Sequence, residues 1–300
     1  MYIVKFPAPT RGLFAVFIEA VRCIDFAVSN NLPYYVDVSE SNSLYTDTER
    51  MQGDKNIWNY YFLQQQPLDH SVPIYSAGKY EGNTNRIWRR SHFKRIYNRA
   101  IRYLQFTPTV AAVLQQLTTA IPAKTLGVHV RRTDHYIEVP QVSIEVYKKL
   151  VTQKMQSGKF DHIFISTDDD TALAELKEYF GAYSVLSNEV TRSVDGTPVH
   201  KPDEPSSGYQ LGLEALIDAY SLSLCSELIL ANSNFSYCSL YFNPNIAYTL
   251  LDGFNVKGEK TKLFAAWLHN LYLDARYHFF HSARLLGYYR RWKYFKKRFA

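Results

Sequence analysis

The stretch that most constrains this chain is residues 125–136, TLGVHVRRTDHY. Leu126, Val128 and Val130 alternate as apolar β-formers, which predicts a buried strand delivering His129, Arg131, Arg132 and Asp134 at and beyond its carboxyl end. Open α/β sheets bind their ligands at that end. Two adjacent arginines leaving a strand point in opposite directions. One is then expected to face a ligand cleft as a planar, always-charged fork while its neighbour holds a carboxylate behind it. A phosphate or pyrophosphate suits such a fork; the plain alternative is a solvated strand end with a surface ion pair.

The rest of the chain alternates strand-like and helix-like segments. Residues 2–6 read as a strand, 7–12 as a loop, 13–30 as a helix and 33–38 as a strand, an order that implies a parallel sheet. Gly12 at the helix entrance either lets a ligand approach the backbone or serves a tight turn. Residues 39–86 are polar, with a short helical patch at 57–66, and 86–117 read as one helix, basic at its start and solvated on that face. Pro122 closes this half, so a boundary falls at 120–124.

A second β/α series follows: helix 143–157, strand 162–167 ending in Asp168-Asp169-Asp170, helix 171–180, strand 183–187, and a loop at 188–208. It continues with helix 210–225, strand 227–231, a turn through Ser233, Asn234, Phe235 and Ser236 into another helix, and strand 246–250. Hydroxyls and amides at that helix N-terminus suit an anion, although an N-cap alone explains Ser233 or Asn234. On helix 210–225, Asp218 shares a face with Leu211, Ala215, Leu222 and Cys225, and a carboxylate inside an apolar stripe needs donors. Either it holds a neighbouring arginine or amide, or it accepts from the two adjacent donors on the edge of a guanine.

With 300 residues, 46% of them hydrophobic, the chain can bury one large core or two of medium size, and two domains are expected. The net charge is +6, yet eight cations follow the last acid, Asp274, so the remainder is net negative. That distribution argues against a nucleic-acid-binding surface across the fold. Residues 276–299 mix those cations with aromatics, which predicts either an interfacial helix on an anionic membrane or a helix packed back on the N-terminal half. Three cysteines without metal-ligand spacing, no secretory h-region and no uncharged run of spanning length predict a cytoplasmic protein, peripheral to the inner membrane face where the tail binds it.

HVRRTD, then FISTDDD, then Ile217-Asp218-Ala219 and ILANSNFSY resemble, in order and spacing, the motifs of the fucosyltransferase superfamily. RRTD and STDD look closer to its α1,6- and nodulation-type members, and ANSNFSY is similar to a motif of the α1,2 enzymes. The resemblance implies an α/β, GT-B-like fold of two Rossmann-type domains facing a central cleft. Residues 1–120 would form the acceptor domain, 121–258 the GDP-sugar domain and 259–300 a basic aromatic tail. It further implies GDP-fucose or a related GDP-sugar as donor, a glycan or lipid-linked oligosaccharide as acceptor, and inversion without metal or other cofactor.

Residue by residue, the resemblance places Arg131 on the donor β-phosphate with Arg132 as its partner, His129 on the nucleotide and Asp218 near guanine. Asp168 and Asp169 match the acidic pair of the second motif, and Ser233 to Ser236 fall in the third. Where α1,6 relatives carry a proposed base, this chain has its acid one place early, at Glu138, so Glu138, Asp134 and His135 are the candidate bases. Two other readings stay open. One is a metal-dependent glycosyltransferase in which Asp168–Asp170 hold Mg²⁺ or Mn²⁺, and the other is a non-catalytic protein attached by its tail to membrane or nucleic acid.

Overall fold

Short apolar runs at the start of the chain make strands because β-branched and aromatic side chains pack on a pleated surface. Tyr2–Val4 form β1, Ala8–Arg11 β2, Leu13–Ser29 helix α1, Tyr34–Val36 β3 and Ser41–Ser43 β4. Ile57–Tyr61 form α2 and Ile74–Tyr75 β5. The computed structural model describes residues 1–5, 8–68, 74–75, 90–133, 141–197, 199 and 207–251. Strands β3, β1 and β5 make a parallel three-stranded sheet with β1 in the middle. Helix α1 covers it with Val16, Phe17, Ala20, Val21, Ile24 and Ala27, all buried.

Two expectations for this half need correction. The proline-flanked segment read as a loop contains β2, which pairs in parallel with β4 in a two-stranded sheet; that pairing is tertiary and has no local signal. The single helix expected over 86–117 is broken. Arg90–Arg99 form α3, Ile101–Tyr103 a 3₁₀ turn, and Pro108–Ala120 form α4 with its proline in the first turn. Proline forces its predecessor out of the α region, and Thr107 is extended at φ −59°, ψ 152°.

Nor is the basic face of α3 merely solvated. Arg95 and Arg99 both reach Asp25 of α1 at 3.5 Å, Arg99 also donates to Ser29 Oγ at 2.7 Å, and Arg90 donates to the Ile246 carbonyl at 3.0 Å. Burial pushes the Asp25 carboxyl up while Arg95 and Arg99 pull it down. The two arginines therefore compensate a buried acid rather than wait for a ligand.

Thr125–Val130 form β6, Ile144–Gln156 α5, His162–Thr167 β7, Asp170–Tyr179 α6 and Ser184–Leu186 β8. Gly208–Leu224 form α7, Glu227–Ala231 β9, Asn234–Phe242 α8 and Ala247–Leu251 β10. Their strands make a five-stranded sheet in the order β10-β9-β6-β7-β8, and every pairing in it is parallel. The chain starts in the middle, winds outward through β7 and β8, then crosses back to β9 and β10. The reversal falls between β6 and β9, the position at which a crevice opens above the carboxyl ends in sheets of this winding.

Period-two alternation decides what each face of β6 meets. Leu126, Val128 and Val130 join Ile163, Ile165 and Ile229 in a core closed by Tyr147, Val151 and Met155 of α5 and by Leu173 and Leu176 of α6. Each aliphatic side chain so buried contributes about 1.5–3 kcal/mol. Gly127 turns the other way, where a Cβ would lie 2.5 Å from a Leu228 methyl and 2.9 Å from Cys225 Sγ. Gly127→Ala should therefore lower unfolding free energy by about 1–3 kcal/mol through overpacking. Urea unfolding checks this, the expected result being a lower midpoint at unchanged slope.

Cys23, Cys225 and Cys238 are buried, and burial pushes the Cys225 and Cys238 thiols up, so those two stay protonated. No helix among the described residues is long and apolar enough to cross a membrane.

Candidate functional site

His129 lies one residue before the end of β6, paired in register with Leu230 of β9, and so stands at the switch point of the sheet. It is 3% exposed. Its ring is held in two ways. Phe235 of α8 stacks on it with centroids 4.4 Å apart and planes 27° apart, and Nδ1 lies 2.7 Å from Ser236 Oγ. Phe14, in the first turn of α1, packs edge-on against Phe235 at 5.3 Å. The N-termini of α1 and α8 are thereby brought to the same crevice. Gly12 is the N-cap of α1, and the space where a Cβ would stand is open. Its φ of −65° is available to any residue, so openness rather than backbone freedom distinguishes this glycine.

At the adjacent strand ends a carboxylate organises the arginines. Asp168, directly after β7, accepts from Arg131 Nη1, from the Arg132 backbone N–H at 2.9 Å and from Thr133 Oγ1. Three donors from consecutive residues fold the chain after β6 into a turn around one side chain. The expected division of labour between the arginines is thus revised, because it is Arg131 that grips Asp168. The Arg132 guanidinium lies 4.0 Å from Asp169, so both arginines have a carboxylate beside them. Asp169 also caps α6 by accepting from the Ala172 N–H at 3.0 Å. The loop after β8 is tied to the same place, since the Ser193 and Asp170 N–H groups donate reciprocally to the Asp168 and Ser193 carbonyls at 2.9 Å.

Several of the candidate site residues have protein partners inside the fold. Asp218 is 4% exposed; Ser166 Oγ donates to one of its oxygens and Asn188 Nδ2 to the other, each at 2.7 Å. Burial pushes its carboxyl up to about 6, against the lowering pull of Ser166, Asn188 and Arg192. Both oxygens of this enclosed carboxylate are thus engaged by protein donors. The Ser233 and Ser236 hydroxyls are likewise turned inward. Ser233 caps α8 by accepting from the Ser236 N–H at 3.3 Å, and Ser236 Oγ donates to the Ala231 carbonyl at 2.6 Å. Asn234 opens the helix, and what this turn offers a ligand is backbone amide rather than hydroxyl.

The acids after β7 are engaged by the protein itself. Asp168 already accepts from a guanidinium, an N–H and a hydroxyl, Asp169 caps a helix, and Asp170 lies within the first helical turn. Among the described residues no group of three or more His, Cys, Asp or Glu is arranged to hold an ion. Asp134 and Glu138 lie outside the described residues.

No family model matches the chain. Its structure is similar to that of a variant of Arabidopsis thaliana FUT1 in complex with GDP, with a TM-score of 0.50 over 83% of this chain and 70% of that one at 11% identity. The fold is fucosyltransferase-like. Bradyrhizobium fucosyltransferase NodZ is 14% identical over 79% of this chain and 92% of its own, with a TM-score of 0.47. POFUT1 in complex with GDP is 10% identical over 83% and 97%, with a TM-score of 0.45. Within this fucosyltransferase-like fold, the residues that sequence reasoning passed over are Thr133, Ser166, Asn188 and Arg192. Only Ser166 carried a usable signal, a hydroxyl directly after the apolar run Ile163-Phe164-Ile165.

Proposed function

We propose that the protein is an inverting, metal-independent glycosyltransferase that moves fucose from GDP-fucose to a hydroxyl of a glycan or lipid-linked oligosaccharide. The observation that carries this reading is the Asp168-centred turn, which holds a preorganised guanidinium at a strand end beside the switch point of a parallel sheet. Breaking the bond between sugar and diphosphate places negative charge on the leaving group. A cation already fixed in orientation stabilises that charge more in the transition state than in the ground state. The resemblance of HVRRTD and ANSNFSY to fucosyltransferase motifs supports fucose as the sugar, and the complex of FUT1 with GDP supports the nucleotide.

In this reading Arg131 binds the β-phosphate, Asp168 orients it, Arg132 adds positive charge, and the amides opening α8 beside Gly12 face the diphosphate. Glu138, Asp134 or His135 takes the proton of the acceptor hydroxyl. The division into an acceptor domain over 1–120 and a donor domain over 121–258 belongs to the same proposal. So do a cytoplasmic location and attachment to an anionic membrane through residues 276–299, which lie outside the described residues.

A hydrolysis screen with GDP-, UDP- and dTDP-sugars tests the donor, and GDP-fucose is expected to be turned over fastest. Activity should survive EDTA. Turnover of UDP-sugars alone, or abolition by EDTA with rescue by Mn²⁺, would return the acids after β7 to a metal-binding role.

A further inference from the structure

Three donors decide how the Asp168 carboxylate lies after β7. Arg131 Nη1 and Thr133 Oγ1 both reach Oδ2, and the Arg132 N–H reaches Oδ1 at 2.9 Å. Arg131 and Thr133 stand two residues apart, the spacing that puts side chains on one side of an extended chain, so their shared oxygen follows from their positions. Thr133 is 5% exposed and the Asp168 side chain 11%. A hydroxyl carries one hydrogen and a carboxylate oxygen accepts, so the hydrogen of Thr133 points at Oδ2. Hydrogen bonds to a charged group are among the strong ones, and a buried β-branched side chain has few rotamers from which to make them.

A guanidinium that pairs with a carboxylate and then meets a phosphate stands between two anions. A carboxylate free to swing would follow the guanidinium or release it; one held by a buried hydroxyl and a backbone N–H keeps the fork at one angle. We infer that Thr133 is a positioning residue that fixes Arg131 through Asp168, so that its hydroxyl supports affinity for the β-phosphate of a nucleoside diphosphate without touching the nucleotide. The step to the nucleotide rests on the proposed function, whereas the step to Asp168 does not.

Thr133→Val removes the hydroxyl and keeps the branched shape, while Thr133→Ser keeps the hydroxyl. Calorimetry should find GDP bound about fivefold more weakly by Thr133→Val than by wild type, with GMP, which has no β-phosphate, bound alike by both. Thr133→Ser should hold GDP to within about twofold of wild type. Equal weakening of GDP and GMP, equal weakening of GDP in both variants, or no weakening at all overturns the role on Arg131. Urea unfolding tests the first link separately. Thr133→Val should lower the midpoint in the wild-type background and have little effect in Asp168→Ala, where that acceptor is absent. Equal lowering in the two backgrounds overturns the inference. Wild-type protein that binds neither nucleotide would remove the proposed function, and the urea comparison would still decide whether Thr133 acts on Asp168.

Discussion

Arg131→Ala is expected to lower the rate of GDP release from GDP-fucose by about 10²–10³-fold, the usual effect of removing a preorganised donor from developing negative charge. The loss has two parts. The guanidinium that would meet the β-phosphate is gone, and Asp168, whose side chain is only 11% exposed, is left without its cation beside the Arg132 N–H and Thr133 Oγ1. A freed carboxylate at the diphosphate site would also repel the donor, so KM should rise along with the fall in kcat. Arg131→Lys separates charge from shape. A lysine keeps the charge but has no fork with which to hold Asp168 and a phosphate together, so its rate should also fall by tenfold or more. Circular dichroism and thermal unfolding establish that the variants are folded. A lysine variant that keeps most of the wild-type rate would refute the geometric role of Arg131.

The largest stability effect is expected at Asp218. Its folded carboxyl is raised to about 6 by burial, from 3.8 for the free group. Because the folded value is the higher one, the contribution is fully present below the unfolded pKa and is lost as pH rises through about 6. Ionising Asp218 in its enclosed site therefore costs the native state up to about 3 kcal/mol at neutral pH, of which about 2 develops between pH 4.5 and 7.5. Asp218→Asn cannot ionise, and it keeps an acceptor and a donor among Ser166 and Asn188, as the protonated acid does. The variant's stability relative to wild type should accordingly rise by about 2 kcal/mol over that pH interval. In thermal melts of a chain this long that corresponds to roughly 3 °C of relative shift. Parallel pH dependence in the two proteins would mean that Asp218 ionises without penalty and that its environment is wetter than described.

Much of the fold was legible because its signals are local. Strands β7 and β9 coincide with the apolar runs at 162–167 and 227–231, and α1 ends within a residue of where its periodicity stops. The ordered motifs HVRRTD, STDD and ANSNFSY located the carboxyl ends at which polar groups converge. Pro108 was a local signal too, overlooked because apolar residues recur at helical spacing on both sides of it.

By itself, then, the sequence determined a parallel α/β fold and the cluster of arginines, acids and helix starts at one edge of its sheet, because alternation, helical periodicity and turn residues are written within a few residues of each other. Tertiary structure alone decided which of those side chains remain for a ligand. His129 meets Ser236 across 107 residues, Asp218 meets Ser166 across 52, and Arg131 meets Asp168 across 37. A polar residue near a site is read as a ligand group until its protein partner is known, and for Asp218, Ser233 and Ser236 that partner satisfies the polar atom inside the core. The physical reason is that a buried polar atom must find its complement wherever the chain brings one, and neither period-two nor period-3.6 patterning encodes that meeting.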